Sequence, residues 1–411
     1  MQVGSDVYWQ DERGHPFGGL DGRASADVVI VGAGIGGLAT AWHLADRGIA
    51  SIVLDSRSVA SGASGRNGGF FIAGPAPMYN DARELFGVLI AWRVQAATLA
   101  AQQEVYAVAD AIGAGGCFGR VGMLRLAVDA DEAEHVRAHA AALAADGFAG
   151  RLVDADDLPR PLRRSGRVGL VTDHDASVHP VRWLTALAAA LVRRGVAIAE
   201  GVRVVRPIGA RVGGQSTVVA TTHGPIDAGA VVVSADAGVG ALVPYLDRRV
   251  RARRLHMIAT APLGTPHVTH PVYARYGYEY FQQLADGRIV LGGFSDLDGA
   301  ASYTDREEPN PVVHARLERY LAEDLGVVAP ITHRWVGVVG YTEDQRPYVG
   351  AVPGTDGLYA MGGYCGTGNI TAWVAGRIVA DQIATGASAD ADLFAMSRRA
   401  GSGAPDADDD H

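Results

Sequence analysis

Three glycine-rich strings carry the chemistry this chain could perform. The first is GAGIGG at residues 32–37, set between a short β-branched run at 27–31 and a helical pattern of Leu38, Ala41, Trp42, Leu44 and Ala45. Gly32 permits a tight turn, Gly34 lets backbone approach a pyrophosphate, and Gly37 lets helix and strand pack closely. The helix then presents its amino terminus, the positive end of its dipole, to the phosphates. Arg47 and Gly48 end that helix, and the apolar run IASIVLD closes a second strand at Asp55, where a carboxylate can accept a hydrogen bond from a ribose hydroxyl. Turn, helix, second strand and terminal acid together describe a βαβ dinucleotide site, which a bare glycine pattern would not.

The second string, SGASGRNGG at 61–69, follows that acid directly, although by composition alone it reads equally well as a surface loop. The third is GGYCGTGN at 362–369, where glycines let backbone N–H groups approach a planar ligand and the helix expected at 370–385 directs its positive end at it. Between them, VYARYGYEYFQQLADGRIVLGG at 272–293 reads as strand, and alternation sends Arg275 to one face and Tyr276, Tyr278 and Tyr280 to the other. Arg275 is the candidate anchor for a distal carboxylate or carbonyl. Tyr280, Tyr341 and Trp335 are the candidate lining of an aromatic substrate pocket, with interdomain packing as the competing reading. Arg254, His256 and Met257 have the same dual status, and Cys365 reads first as a small packing residue.

These groups need elements to hold them. Residues 81–152 read as alanine-rich helix broken by GAGGCFGRVG and a strand at 123–128, and 180–195 as an amphipathic helix. Strands are expected at 202–206, 217–222 and 230–234, a strand-rich block at 251–294, and a helix at 311–325. The expected class is α/β: a Rossmann-type domain from 1–80, 152–245 and 335–390, with an interleaved substrate domain from 81–151 and 246–334 built on a mostly antiparallel sheet plus helices. Residues 391–411 read as a disordered acidic tail.

The 411 residues carry a net charge of −9 and a pI near 5.8, which argues against affinity built on nucleic-acid phosphates. All 36 positive residues are arginine, so Schiff-base chemistry and a Walker A lysine are excluded. Two distant cysteines, Cys117 and Cys365, make neither a CxxC pair nor a cysteine zinc site, and no metal is expected. The first residues lack a basic stretch leading into an apolar run, so the chain reads as cytoplasmic, without membrane or nucleic-acid partners, as a monomer or homodimer.

Taken with HPVRWLTALAAALVRRGVAIAEGVRVV (179–205), WVGVVGYTEDQRPYVG (335–350) and GLYAMGGYCGTGNITAWVAGRIVADQI (357–383), the glycine strings resemble the D-amino-acid oxidase superfamily of FAD-dependent flavoproteins. The likeness spans nearly the whole chain and is greatest to the branch of γ-glutamylputrescine oxidoreductase, beside the glycine and sarcosine oxidases. It implies that FAD is held by Gly32, Gly34, Ile35, Gly36, Gly37, Asp55, Ser56 and Arg57, and by Ser61, Gly62, Ala63, Ser64, Arg66, Asn67, Gly68 and Gly69. Val204 is implied on the adenine side, Ala235 as a further FAD contact, and Gly363, Tyr364, Gly366, Thr367, Gly368 and Asn369 around the flavin. The cysteine that tethers flavin in sarcosine oxidases and the carboxylate-binding arginine of glycine oxidase both fall at Val339, so noncovalent FAD and a different acid anchor are implied. The lysine that promotes reaction with oxygen falls at Ile370. The implied reaction is hydride transfer to flavin N5 from the carbon beside an amine nitrogen, giving an imine that hydrolyses to a carbonyl, with O2 as acceptor and H2O2 as product. A dehydrogenase using a quinone or carrier, an FAD hydroxylase and a non-catalytic flavin protein are the alternatives.

Overall fold

The valine and isoleucine run ahead of the first glycine turn forms the strand Ser25–Val31, whose last four residues are all buried. Unbroken apolar runs of this kind belong to parallel sheets covered on both faces. In the computed structural model, which describes residues 7–12, 16–20, 22, 24–209 and 216–398, this strand lies inside a seven-stranded sheet. The order is Tyr348–Ala351, Leu358–Gly362, Gly224–Val233, Ser25–Val31, Ser51–Leu54 and Ala197–Ala199, with Thr217–Thr221 antiparallel to Gly224–Val233. The pairings from Leu358–Gly362 across to Ala197–Ala199 are parallel. Helices Ile35–Asp46, Pro180–Arg193 and Gly368–Thr385 cover one face, where they pack on Val28, Ile30, Val53 and Val232.

The second sheet has eight strands in the order Ile331–Tyr341, Arg251–Thr260, Ile289–Gly293, Glu279–Gln283, Val272–Ala274, Met123–Leu126, Val168–Thr172 and Arg151–Asp154. Every pairing is antiparallel except that of Val272–Ala274 with Met123–Leu126. One face is apolar and covered by the helix Pro311–Glu323, through Leu124, Ile258, Phe281, Leu291 and Leu317. Period-two alternation turns their neighbours, Arg125, Met257, Tyr280 and Gly292, to the opposite face. The expected α/β class, a Rossmann-type sheet with an interleaved, mostly antiparallel one, is therefore the architecture observed.

Four local expectations change. The strand expected at 202–206 reduces to a bridge between Val204 and Thr221, and Ala197–Ala199 forms the sheet edge instead, because a positive-φ turn at Gly201 breaks the run. Residues 151–172 and 331–341 build the eight-stranded sheet, although the sequence reading put most of them with the cofactor domain. Residues 391–398 are not a loose tail: Leu393 and Phe394 are buried, and Arg398 pairs with Asp344. Residues 399–411 lie outside the described residues. Among the described residues no helix is long and apolar enough to cross a membrane.

Helices Ile35–Asp46 and Gly368–Thr385 meet at Gly376, where a Cβ would lie 2.7 Å from the Thr40 nitrogen and 2.8 Å from the Ala39 Cβ. Only a missing side chain allows that approach, and overpacked cores lose about 1–3 kcal/mol. Gly376→Leu is expected to lower the thermal-unfolding midpoint and flavin content together; an unchanged midpoint would show that the two helices can part freely.

Candidate active site

Both of these helices begin without a side-chain cap, at Gly34 and at Thr367. Their first-turn N–H groups have no intrahelical acceptor, and each end carries a partial positive charge. Gly32, at φ 111°, turns the chain beneath Ser234, and a Cβ there would lie 2.2 Å from the Ser234 carbonyl oxygen. The Ile35 N–H donates to Ser64 Oγ at 3.1 Å, and only the Ser64 side chain lies within 4 Å of a Cβ placed on Gly34. Backbone at Gly34 thus stays open to a ligand, whereas Gly36 and Gly37, expected to contact FAD, are buried against Ser234, Met361 and Tyr364 and against Gly32 and Ile30. Asp55 follows the neighbouring strand, its oxygens accepting from the Ala33 N–H at 2.8 Å and the Arg57 N–H at 2.8 Å. Each oxygen retains acceptor capacity. Burial holds the Asp55 carboxyl above the usual range, against those two backbone hydrogen bonds.

The 61–69 segment and the late glycine loop are joined side by side. The Asn67 amide donates to Ser64 O at 2.8 Å and meets Asn369 Oδ1 at 3.2 Å, while Asn369 donates to Phe70 O at 2.7 Å. Arg66 donates to Ser61 O and Val336 O and pairs with Glu307, which also takes Arg57. Ala235 follows Gly224–Val233 at the same sheet edge as Gly32. Ser56 and Arg57 are exposed, and Val204 is nearly buried in its bridge to Thr221.

The sequence gives little warning of Asp236. Its carboxylate accepts from the Gly340 N–H at 2.8 Å and the Gly363 N–H at 2.9 Å, tying the strand before Tyr341 to the loop after Gly362. Burial raises its pKa against those same bonds.

A cavity of about 1100 Å³ opens between these loops and the free face of the eight-stranded sheet. Its walls include Asn67, Gly68, Thr367 and Asn369 on one side and Met257, Tyr280, Val339 and Tyr341 on the other. Tyr280 and Tyr341 are thus brought together with the glycine loops. Two sequence candidates are not. Trp335 is 0 % exposed, and its Nε1 donates to Arg66 O at 2.9 Å, so the 61–69 segment seals it from the cavity. Arg275 is not in a strand: the ladder stops at Ala274, and Arg275 and Tyr276 take φ 47° and 56° in a turn. Its guanidinium is taken by Glu279 and Asp296, so it has no fork left for a substrate acid. Ile370 is fully buried.

The residues the sequence reading passed over are arginines. Arg249 and Arg251 are exposed at the cavity rim, over the rings of Tyr245 and Tyr303. Arg253 lies further in, donating to Ser302 Oγ and lying over Tyr303 and Tyr341. Arg125 stands at the far wall. An arginine inside the apolar alternation GMLRLAV was the available signal.

Residues 27–382 match the family model described as FAD dependent oxidoreductase. The chain belongs to this family. It is 28% identical over 387 residues to a probable oxidoreductase, OrdL, of Rhizobium meliloti, covering 91% of this chain and 86% of the relative. It is 26% identical over 385 residues to the gamma-glutamylputrescine oxidoreductase of Escherichia coli, covering 89% and 85%. Among solved structures, glycine oxidase from Geobacillus kaustophilus superposes with a TM-score of 0.76 at 21% identity, covering 92% of this chain and all of that one.

The geometry fits this family's FAD. Two uncapped helix starts, a turn only glycine can make and a carboxylate with free acceptor capacity suit a pyrophosphate-linked dinucleotide. The cavity beside the late loop suits its flavin end. Asp236→Ala would leave two N–H groups without their acceptor, at about 1–3 kcal/mol each. The expected result is FAD retention at least tenfold weaker by absorbance after dialysis, with the circular dichroism unchanged; full retention would mean that the loop needs no such tie.

Proposed function

We propose that this FAD-dependent oxidoreductase oxidises the CH–NH bond of a primary or secondary amine, or of an amino acid derivative, to an imine that water hydrolyses to a carbonyl compound. The observation that carries the reading is the cavity wall facing the glycine loops, aromatic and uncharged at Tyr280 and Tyr341. Burial pushes both phenols well above their ordinary pKa, further raised by neighbouring tyrosines at Tyr280 and by Cys365 at Tyr341. They stay protonated and act as hydrogen-bond donors and apolar walls, not as bases. A buried site of this kind disfavours an ammonium and so supplies the neutral amine that can be oxidised.

FAD, when bound, takes up the two electrons of the oxidation. The protein's part is to hold the amine-bearing carbon in place and to exclude water. The names of two similar proteins, gamma-glutamylputrescine oxidoreductase and glycine oxidase, support an amine or amino acid substrate. Val339 in the cavity wall supplies no thiol for a covalent flavin link, which supports noncovalent FAD. We take O2 as the final acceptor, giving H2O2. The absence of any lysine and the burial of Ile370 favour a second acceptor, a quinone or carrier, as the alternative.

With Tyr280 and Tyr341 held protonated, kcat/KM is expected to rise with pH up to the substrate amine's own pKa, and these phenols give no falling limb below about pH 10. A falling limb in that range would assign a protein group that must stay protonated and contradict this account of the phenol wall. Adding amines without oxygen should bleach the flavin absorbance. If no primary amine, secondary amine or amino acid does so, the reading fails; bleaching without H2O2 in air selects the other acceptor.

A further inference from the structure

One transverse row of the eight-stranded sheet runs Met257, Gly292, Tyr280, Tyr273, Arg125, each directly opposite the next in the strand register. Residues directly opposite share a face, so these side chains form one continuous floor. Gly292 is what lets the floor lie flat: a Cβ there would come 2.4 Å from the Tyr280 ring and 2.2 Å from the Met257 sulfur. The Tyr280 and Tyr273 rings lie 5.8 Å apart, with Phe70 over both at 5.9 and 4.7 Å. The Arg125 Cζ is 5.8 Å from the Tyr273 ring. The cavity is therefore a trough with aromatic walls ending in a guanidinium.

That guanidinium has no hydrogen bond or ion pair among the described residues. The nearby carboxylates are spoken for. Glu132 accepts from the Val128 and Tyr276 N–H groups, Asp175 from Ala73, Thr172 and Gln102, and Asp81 holds His135. Two further donors line the same cavity, His139 being the one close to Arg125. His139 lines the cavity, and because its Nδ1 accepts from the Tyr79 N–H at 2.8 Å, the neutral ring carries its proton on Nε2, which has no hydrogen-bond partner among the described residues. Burial, with Arg125 and His135 nearby, lowers its pKa to about 3, so it stays neutral. Gln95 is only 4 % exposed, lines the cavity, and its amide makes no hydrogen bond among the described residues. By contrast Arg253 is already engaged by Ser302.

The geometry points to a substrate whose far end carries a carboxylate, bound by Arg125, His139 and Gln95, while its amine lies toward Tyr280. This deepens the amine-oxidising reading above and rests on it. A half-buried guanidinium whose neighbouring carboxylates are already hydrogen-bonded to other donors has its own donors free for a ligand's negative charge. The planar fork can hold the two oxygens of a carboxylate, and one guanidinium balances that single charge where it would leave a doubly charged phosphate under-neutralised. Arg125 lies two strands from Tyr280, about 10 Å, the reach of an extended chain of a few methylenes. The substrate class is thus an ω-amino acid or an N-alkylated equivalent, with amine and acid at opposite ends.

Hexanoate and hexanamide test the anchor without turnover. Titrated calorimetrically into the FAD-loaded full chain, hexanoate is expected to bind about 10–100-fold more tightly than hexanamide, the worth of hydrogen bonds to a charged group. Arg125→Met should erase that contrast, and Arg125→Lys should keep only part of it. In turnover, Arg125→Met should raise KM for 6-aminohexanoate by the same factor, and by more than it changes KM for hexylamine. No contrast in the unmodified protein overturns the anchor, as does an unchanged contrast in Arg125→Met or, should that variant not hold FAD, in Arg125→Lys. A protein that binds hexanoate through Arg125 yet is bleached by no amine fails the amine reading alone; one that oxidises amines without preferring the acid fails the anchor alone.

Discussion

The structure depends on two helices packed against each other, each beginning at a glycine-rich loop of the site. A helix start carries unsatisfied N–H groups and partial positive charge, so each suits part of a polyanionic cofactor. Neither Ile35–Asp46 nor Gly368–Thr385 supplies a side-chain cap of its own. Their separation is set by the missing side chain at Gly376. Their connection to the rest is set by Asn67 with Asn369 and by Asp236 with Gly340 and Gly363. A small shift at the crossing would move both starts, so the glycine there governs a site it never touches.

From that frame the second sheet acquires its role. Its helix-covered face is ordinary apolar core, and its other face looks across the cavity at the glycine loops. The strand Ile331–Tyr341 belongs to this sheet and yet ends beside the late loop, where Asp236 ties it down. Cofactor-facing and substrate-facing walls are therefore registered to one another by backbone, not only by side-chain packing. Sites built on such elements hold their geometry better than sites on free loops.

Much of the cofactor side was legible because its signals are local. A turn needing positive φ, a helix start and a strand-end acid sit within one βαβ unit, and each is a matter of residue type and spacing. The substrate side resisted the same reading. Arg275 and Tyr276 adopt left-handed backbone that neither residue type announces, so the strand alternation projected through them failed. Trp335 shares a row with Met257, but the 61–69 segment covers one and leaves the other open, which only tertiary structure decides. Arg125 was recoverable in principle, as a charge at an inward position of a buried strand. What could not be read was the commitment of the surrounding acids to other donors.

A lysine-free chain also sets the electrostatics of its cavity in a particular way. Arginine does not lose its proton in proteins, so the positive charge of Arg125, Arg249, Arg251 and Arg253 is constant across any usable pH. The neutral groups beside them are equally fixed: burial holds Tyr280 and Tyr341 protonated, pushes Tyr273 up to about 12 and leaves His139 uncharged. These arginines and neutral rings line the cavity of a protein whose net charge is −9. Positive rim and inner wall on an otherwise acidic molecule concentrate anions where the rest of the surface repels them. For the substrate proposed above, the acid end would be drawn in by these charges, and the ammonium, repelled by the same arginines and desolvated by the tyrosines, would be brought closer to the neutral form that oxidation requires.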